Sequence, residues 1–215
     1  MSHIAPAACW SLASTWGPAV RLALLRAPTS TGEAAAALNV SVSQASRLLR
    51  TLEAQALARH VRYGLWIIGS DSVDPRTLVE EITRPYPAYV SFTSALNSHG
   101  MIDQVPREIS VASLDVAKRV KTQLGTYAIH HLPPVLFGGW EEHDGVKLAK
   151  PEKALFDLAY VSAVHGGRPR RIPEMDLPAD FDRAELDRWL SRIESPRVRT
   201  LTSRGLRYAL SRAVR

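Results

Sequence analysis

The sequence predicts an α+β protein in which a small N-terminal module, helical and closed by a β-hairpin, precedes a larger mixed domain. Three observations carry this prediction. Two helix starts, Ser30-x-x-Glu33 and Ser41-x-x-Gln44, have the spacing at which a hydroxyl and the N3 side chain satisfy each other's backbone donors. The run Arg59-His60-Val61-Arg62-Tyr63-Gly64-Leu65-Trp66-Ile67-Ile68 then reads as two short strands turning at Tyr63-Gly64. Beyond Pro85, strand-like alternation and helical periodicity share the chain.

In order along the chain, the first ten residues show no clear period, although Trp10 and Leu12 can anchor them, and a helix is expected from Ala19 to Arg26, ended by Pro28. The next helix runs from Thr31 to about Leu38 and stops at Asn39, a residue that tolerates the left-handed conformation of a helix end. A second helix is expected from Val42 to about Leu57, with Ala45, Leu48, Leu49, Leu52 and Ala56 forming its core face. That leaves Ser43, Gln44, Ser46, Arg47 and Arg50 outward. These side-chain types read duplex DNA, because Arg forks onto guanine O6/N7, Gln onto adenine N6/N7, and Ser onto bases or phosphates. In the hairpin, Arg59, His60 and Arg62 are available to phosphates and Tyr63 marks the tip. The module is therefore expected to be a winged helix-turn-helix, whose second helix enters the major groove.

Asp71 to Pro75 reads as a turn before a helix from about Arg76 to Thr83, and Arg84-Pro-Tyr-Pro87 interrupts regular structure. The domain junction is placed there, giving an N-terminal DNA-binding domain over residues 1–84 and a mixed α/β domain over 85–215. In the second domain a helix is expected from about Thr93 to Gly100, with strands at Ile109 to Ser113 and Thr126 to Leu132. Pro133 to Trp140 reads as a buried strand or core loop. Pro151 and Glu152 suit the first turn of a helix that buries Ala154, Leu155, Leu158 and Ala159. Residues 165–171 form a Gly, Pro and Arg loop, and two further helices are expected, one opened by Asp182-x-x-Glu185 and one from about Thr200.

Charge narrows the choice of partner. The 215 residues carry a net charge of +6, with a pI near 9.8, which favours an acidic partner, nucleic acid first. Residues 1–70 carry six arginines against two acids, residues 71–163 nine bases against twelve acids, and residues 164–215 twelve arginines against seven acids. Both ends are basic. Arg197, Arg199, Arg204, Arg207, Arg212 and Arg215 surround the last helix, either as a solvated face or as further phosphate contacts. Cys9 is the only cysteine, so no intrachain disulfide is expected and a reducing cytoplasm is the natural setting. No secretory leader, membrane span, cofactor or metal is expected.

Two stretches resemble a known family. Tyr89-Val-Ser-Phe-Thr-Ser-Ala-Leu-Asn-Ser-His-Gly-Met-Ile-Asp-Gln-Val-Pro106 and Val146-Lys-Leu-Ala-Lys-Pro-Glu-Lys-Ala-Leu-Phe-Asp-Leu158 look like the two characteristic stretches of the AbiEi family of abortive-infection antitoxins. In that family they follow an N-terminal winged helix-turn-helix. The resemblance covers roughly Ala19 to Tyr160. It implies a non-enzymatic transcriptional autorepressor of phage-defence genes, acting on promoter DNA, with inverted repeats the expected operator form. It also implies an antitoxin-like second domain that counteracts a nucleotidyltransferase-like toxin encoded beside it, with or without direct contact.

Other classes are weighed against this reading. A regulator whose second domain senses a small ligand would need a pocket there. A Mg²⁺ nuclease would use Glu141, Glu142 and Asp144 beside Lys147, although a solvated acidic turn accounts for the same residues. Ser94, His99 and Asp103 lack the surroundings of a nucleophile elbow. His130 and His131 are adjacent and so point to opposite faces of a strand.

Overall fold

A computed structural model describes residues 28–69, 72–166 and 174–213. The helix expected at Ala19 to Arg26, and most of the loop expected at 165–171, lie outside these residues. The protein is α+β, and it divides into two compact units, residues 1–73 with 122–124 and the remainder.

In the first unit, β1 (Thr29–Ser30) leads into α1 (Thr31–Leu38), then α2 (Val42–Ala54), β2 (Ala58–Arg62) and β3 (Leu65–Ile68). Both capping boxes form. The Glu33 N–H donates to Ser30 Oγ at 3.1 Å and the Ser30 N–H to Glu33 Oε2 at 2.7 Å. Likewise, the Gln44 N–H donates to Ser41 Oγ at 3.2 Å and the Ser41 N–H to Gln44 Oε1 at 3.0 Å. Each box satisfies donors that a helix start leaves orphaned. Asn39 ends α1 in the left-handed conformation at φ 54°.

Ala34, Leu38, Leu49, Leu52, Ala58 and Trp66 form one apolar cluster, with Leu48 and Ile68 packed against it. The second helix is shorter than its periodicity predicts. It ends at Ala54, and Ala56 lies beyond it at φ 57°, exposed rather than in the core. The chain turns there because the Leu57 N–H donates back to the Leu52 carbonyl at 2.9 Å. The three strands run in the order β1-β3-β2, with Thr29 opposite Trp66 and His60 opposite Trp66 on the other side.

The second unit starts with a 3₁₀ turn at Pro75–Leu78 and α3 (Val79–Thr83). Packing thus assigns these residues to the second unit and separates the units between Val73 and Asp74, whereas composition marks a junction at Pro85. Then come β4 (Ala88–Val90), α4 (Phe92–Ser98), β5 (Ile109–Ser113), β6 (Lys118–Thr122), β7 (Gly125–His131), β8 (Trp140–His143) and β9 (Val146–Ala149). The helices α5 (Pro151–Val164), α6 (Arg183–Ser191) and α7 (Pro196–Ser211) complete the described chain. The six strands form a sheet in the order β6-β7-β5-β4-β9-β8. β5 and β7 are parallel, as are β4 and β9, while β4 and β5 are antiparallel.

The core of this unit is built on α5. Ala154, Leu155, Phe156 and Ala159 are buried with Tyr89, Phe92, Leu96 and Trp189. Leu158 is only half-buried, and the helix also buries Lys153 and Asp157 completely. Lys153 Nζ is bonded to Asp157 Oδ1. The hydroxyls of Ser91 and Tyr89 donate to Asp157 Oδ2 at 2.7 and 3.0 Å. The rings of Trp189, Phe156 and Tyr89 surround the ammonium, with centroids 4.5, 5.2 and 5.6 Å away. Burial pushes the Asp157 carboxyl above its ordinary range and the Lys153 ammonium below its own.

Candidate nucleic-acid interface

The polar face of α2 forms one wall of a groove in the first unit. The helix buries Ala45, Leu49 and Leu52. With 100° per residue, this places Val42, Ser43, Ser46, Arg47, Arg50 and Glu53 on a continuous outward strip. The β-hairpin forms the other wall through His60, Tyr63, Gly64 and Trp66, and Thr31 completes the lining. The groove encloses about 710 Å³.

Four contacts tie the lining together. The Thr31 N–H donates to the Gly64 carbonyl at 2.9 Å, tying the start of α1 to the hairpin turn. The Trp66 indole N–H donates to Thr31 Oγ1 at 3.0 Å. Glu53 Oε1 accepts from the His60 N–H at 3.2 Å, and the His60 ring lies 4.6 Å from the Trp66 ring. Gly64 sits at φ 74°, which the turn requires and which L side chains resist.

Of the side chains expected to contact DNA, the groove brings together Ser43, Ser46, Arg47, Arg50, His60 and Tyr63. Arg47 and Arg50 are exposed, and the ring of Tyr63 is 99% exposed at the hairpin tip. Gln44, Arg59 and Arg62 are not part of the lining. Gln44 holds the helix start with its Oε1, so a bidentate grip on adenine would require that box to open. Arg59 and Arg62 stand opposite Ile67 and Leu65 in the hairpin register, with an irregularity between His60 and Arg62 that re-aims the strand. The lining residues Thr31, Val42, Glu53 and Trp66 were not legible as site residues. Thr31 read as the start of a helix and Trp66 as a strand residue of the hairpin, and only tertiary pairing brings them to the groove.

Guanidinium forks and hydroxyls face one way from one helix, beside an imidazole and an exposed phenol on a rigid hairpin. Side chains of these types can hydrogen-bond to base edges and phosphates.

The other candidate centres are engaged in structure. Ser94 Oγ donates to the Glu108 carbonyl at 3.2 Å and accepts from the Ser110 N–H at 2.8 Å. The His99 ring meets the Ala149 carbonyl at 2.7 Å, while Asp103 is exposed in a loop. Glu141 pairs with Lys150 at 3.1 Å and with His143 at 3.5 Å. Lys147 pairs with Glu80 at 2.7 Å, and Asp144 occupies the β8–β9 turn at φ 50°. The His130 ring lies 4.5 Å from the Phe92 ring at a tilt of 51°, and His131 Nδ1 lies 3.2 Å from the Asp115 carbonyl. Among the described residues no cluster of three or more His, Cys, Asp or Glu is arranged to hold a metal ion. No helix among them is long and apolar enough to cross a membrane.

On α7, Arg197, Arg204 and Arg207 are exposed. Arg199 donates through Nε to the Ile193 carbonyl at 3.0 Å, and Arg212 to Tyr208 Oη at 2.7 Å. Among the described residues, the arginines of this segment therefore divide into structural ties and a solvated set, while Arg215 lies outside the described residues.

No model of a known protein family matches the chain, and no curated protein shows significant similarity to it.

Proposed function

We propose that this chain is a DNA-binding transcriptional autorepressor whose first unit is a winged helix-turn-helix, and that it serves as the antitoxin of a nucleotidyltransferase-like toxin. The observation that carries the DNA-binding half is the groove, where Ser43, Ser46, Arg47 and Arg50 of α2 face His60 and Tyr63 of the hairpin. In the proposed complex α2 lies in the major groove, Arg47 and Arg50 reach guanine edges or phosphates, and the hairpin grips the flanking backbone. Arg59 and Arg62 of β2 add phosphate contacts. Occupying promoter DNA obstructs transcription of the chain's own operon.

The antitoxin half rests on the likeness of the 89–106 and 146–158 stretches to the AbiEi family. The arrangement of these stretches is compatible with that role. Residues 89–106 supply β4 and α4, residues 146–158 supply β9 and much of α5, and β4 pairs with β9 through Val90 and Leu148. The two stretches thus build one scaffold.

The test has two readouts in the same cells. Co-expression of the full chain is expected to restore growth arrested by the adjacent nucleotidyltransferase-like gene and to silence a reporter driven by the chain's own promoter. The Arg47→Ala/Arg50→Ala variant is expected to lose repression while keeping rescue. Loss of neither repression nor rescue in that variant rejects the groove as the DNA site, and failure of the wild type to rescue rejects the antitoxin role.

A further inference from the structure

Resting on the proposal that the groove reads duplex DNA, we infer that Val42 makes the groove selective for a pyrimidine C5-methyl group. Val42 is the first residue of α2. Its side chain is 58% exposed, and it does not belong to the apolar cluster beneath the helix. Of the other exposed valines, Val105 lies in the loop between α4 and β5 and Val116 in the loop between β5 and β6. Val42 instead stands inside the groove, one helical turn from Ser46 and beside Ser43. The lining around it includes the hydroxyls, guanidinium groups and Glu53 of α2 and, on the hairpin, the rings of His60, Tyr63 and Trp66.

An exposed, apolar, branched side chain at the start of a helix that enters the major groove has one kind of complement on the edges of a base pair. In the major groove the donors and acceptors of all four bases are polar, and the only apolar group of unmodified DNA is the C5-methyl of thymine. The same methyl occurs on 5-methylcytosine, so the recognised chemistry is a C5-methyl whichever base carries it. The position also fits the mode of entry, because residues at the start of a recognition helix approach base edges most closely. Ser41 and Gln44 are occupied with each other's backbone donors. Val42 is therefore presented by a start held rigid on both sides. Discrimination at this position is apolar, while Arg47 and Arg50 supply the polar readout further along the helix.

The experiment uses the full chain. Duplexes enriched from a random pool by the wild type are re-synthesised with each thymine replaced in turn by deoxyuridine, which removes only the methyl. At one thymine or more, this change is expected to weaken wild-type binding about fourfold, the factor that one buried methyl contributes. Val42→Ala should show no such sensitivity at that position, and Val42→Ile should restore it. A parallel pool in which cytosines carry the C5-methyl identifies the source. Enrichment of methylated sites with no effect of deoxyuridine assigns 5-methylcytosine. If Val42→Ala keeps the wild-type response to every deoxyuridine, or if no methyl on either base affects wild-type binding, the inference is overturned. That failure is separable from failure of the groove itself, since it leaves the Arg47→Ala/Arg50→Ala variant impaired on all duplexes. A wild-type chain that enriches no duplex overturns both.

Discussion

Replacing Lys153 by Met removes a charge from the centre of the second unit while keeping most of the side chain's volume. Lys153 and Asp157 have fully buried side chains, so the variant leaves a carboxylate out of water with only the Ser91 and Tyr89 hydroxyls as donors. Breaking a buried pair by deleting one partner costs about 3–5 kcal/mol. The packing against Trp189, Phe156 and Tyr89 survives in Met, so the electrostatic cost dominates.

The second substitution, Asp157→Asn, lifts the stranded charge and keeps an oxygen for both hydroxyls. Lys153→Met/Asp157→Asn is therefore expected to recover at least half of the loss, on the order of 2 kcal/mol. A lone Asp157→Asn strands the ammonium instead and falls with Lys153→Met. Urea denaturation of the four proteins, followed by far-ultraviolet circular dichroism and analysed as a double-mutant cycle, measures the coupling. A Lys153→Met midpoint within about 0.5 kcal/mol of wild type would refute the reasoning. So would additive losses in the double variant.

Arg47→Ala is expected to cost about 1–3 kcal/mol of DNA affinity and to relax base preference at one position if Arg47 reads a base, and to weaken all duplexes equally if it grips a phosphate. Comparing a promoter duplex with a scrambled one separates the outcomes. Gly139→Ala should destabilise the second unit by about 1–3 kcal/mol, because the added Cβ comes within 2.8 Å of the Trp189 ring and φ at this position is 78°; thermal unfolding checks it. The Lys118 ammonium bonded to Asp115 holds the Asp115 carboxyl below its ordinary range. A depressed folded-state value stabilises above the unfolded-state carboxylate range and is lost as pH falls through the folded value. Lys118→Gln should accordingly raise the pH of acid unfolding, and an unchanged acid midpoint would count against the pair.

Local rules explain what was readable in the sequence. Both capping boxes involve atoms within three residues of each other, and they formed where the spacing placed them. The strand at Ile109–Ser113 and the helix halted by Gly100 at φ 68° are likewise local patterns. The end of α2 was not readable, because Ala56 fits the helical period equally well whether or not the Leu57 N–H turns back to Leu52. β1 is only two residues long, and Thr29 becomes a strand residue by pairing with Trp66, far along the chain. Lys153 and Asp157 were hidden for a different reason. A lysine and an aspartate four residues apart on a helix look like a solvated pair, and only the hydroxyls of Tyr89 and Ser91 and the surrounding rings, Trp189 of α6 among them, make them a core. In the groove, charge and hydroxyl chemistry identified most of the strip on α2. The exclusion of Gln44 follows from its role in the cap, and the inclusion of Val42 from the geometry of the groove.

The most direct test of the account is equilibrium binding of the full chain and its Arg47→Ala/Arg50→Ala variant to a duplex from the chain's own promoter and to a scrambled duplex, across a salt series. The account predicts that the wild type prefers the promoter duplex, that its affinity falls steeply with salt, and that the variant loses at least about thirtyfold on the promoter duplex. Equal affinities of wild type and variant on that duplex would contradict the claim that this groove reads DNA.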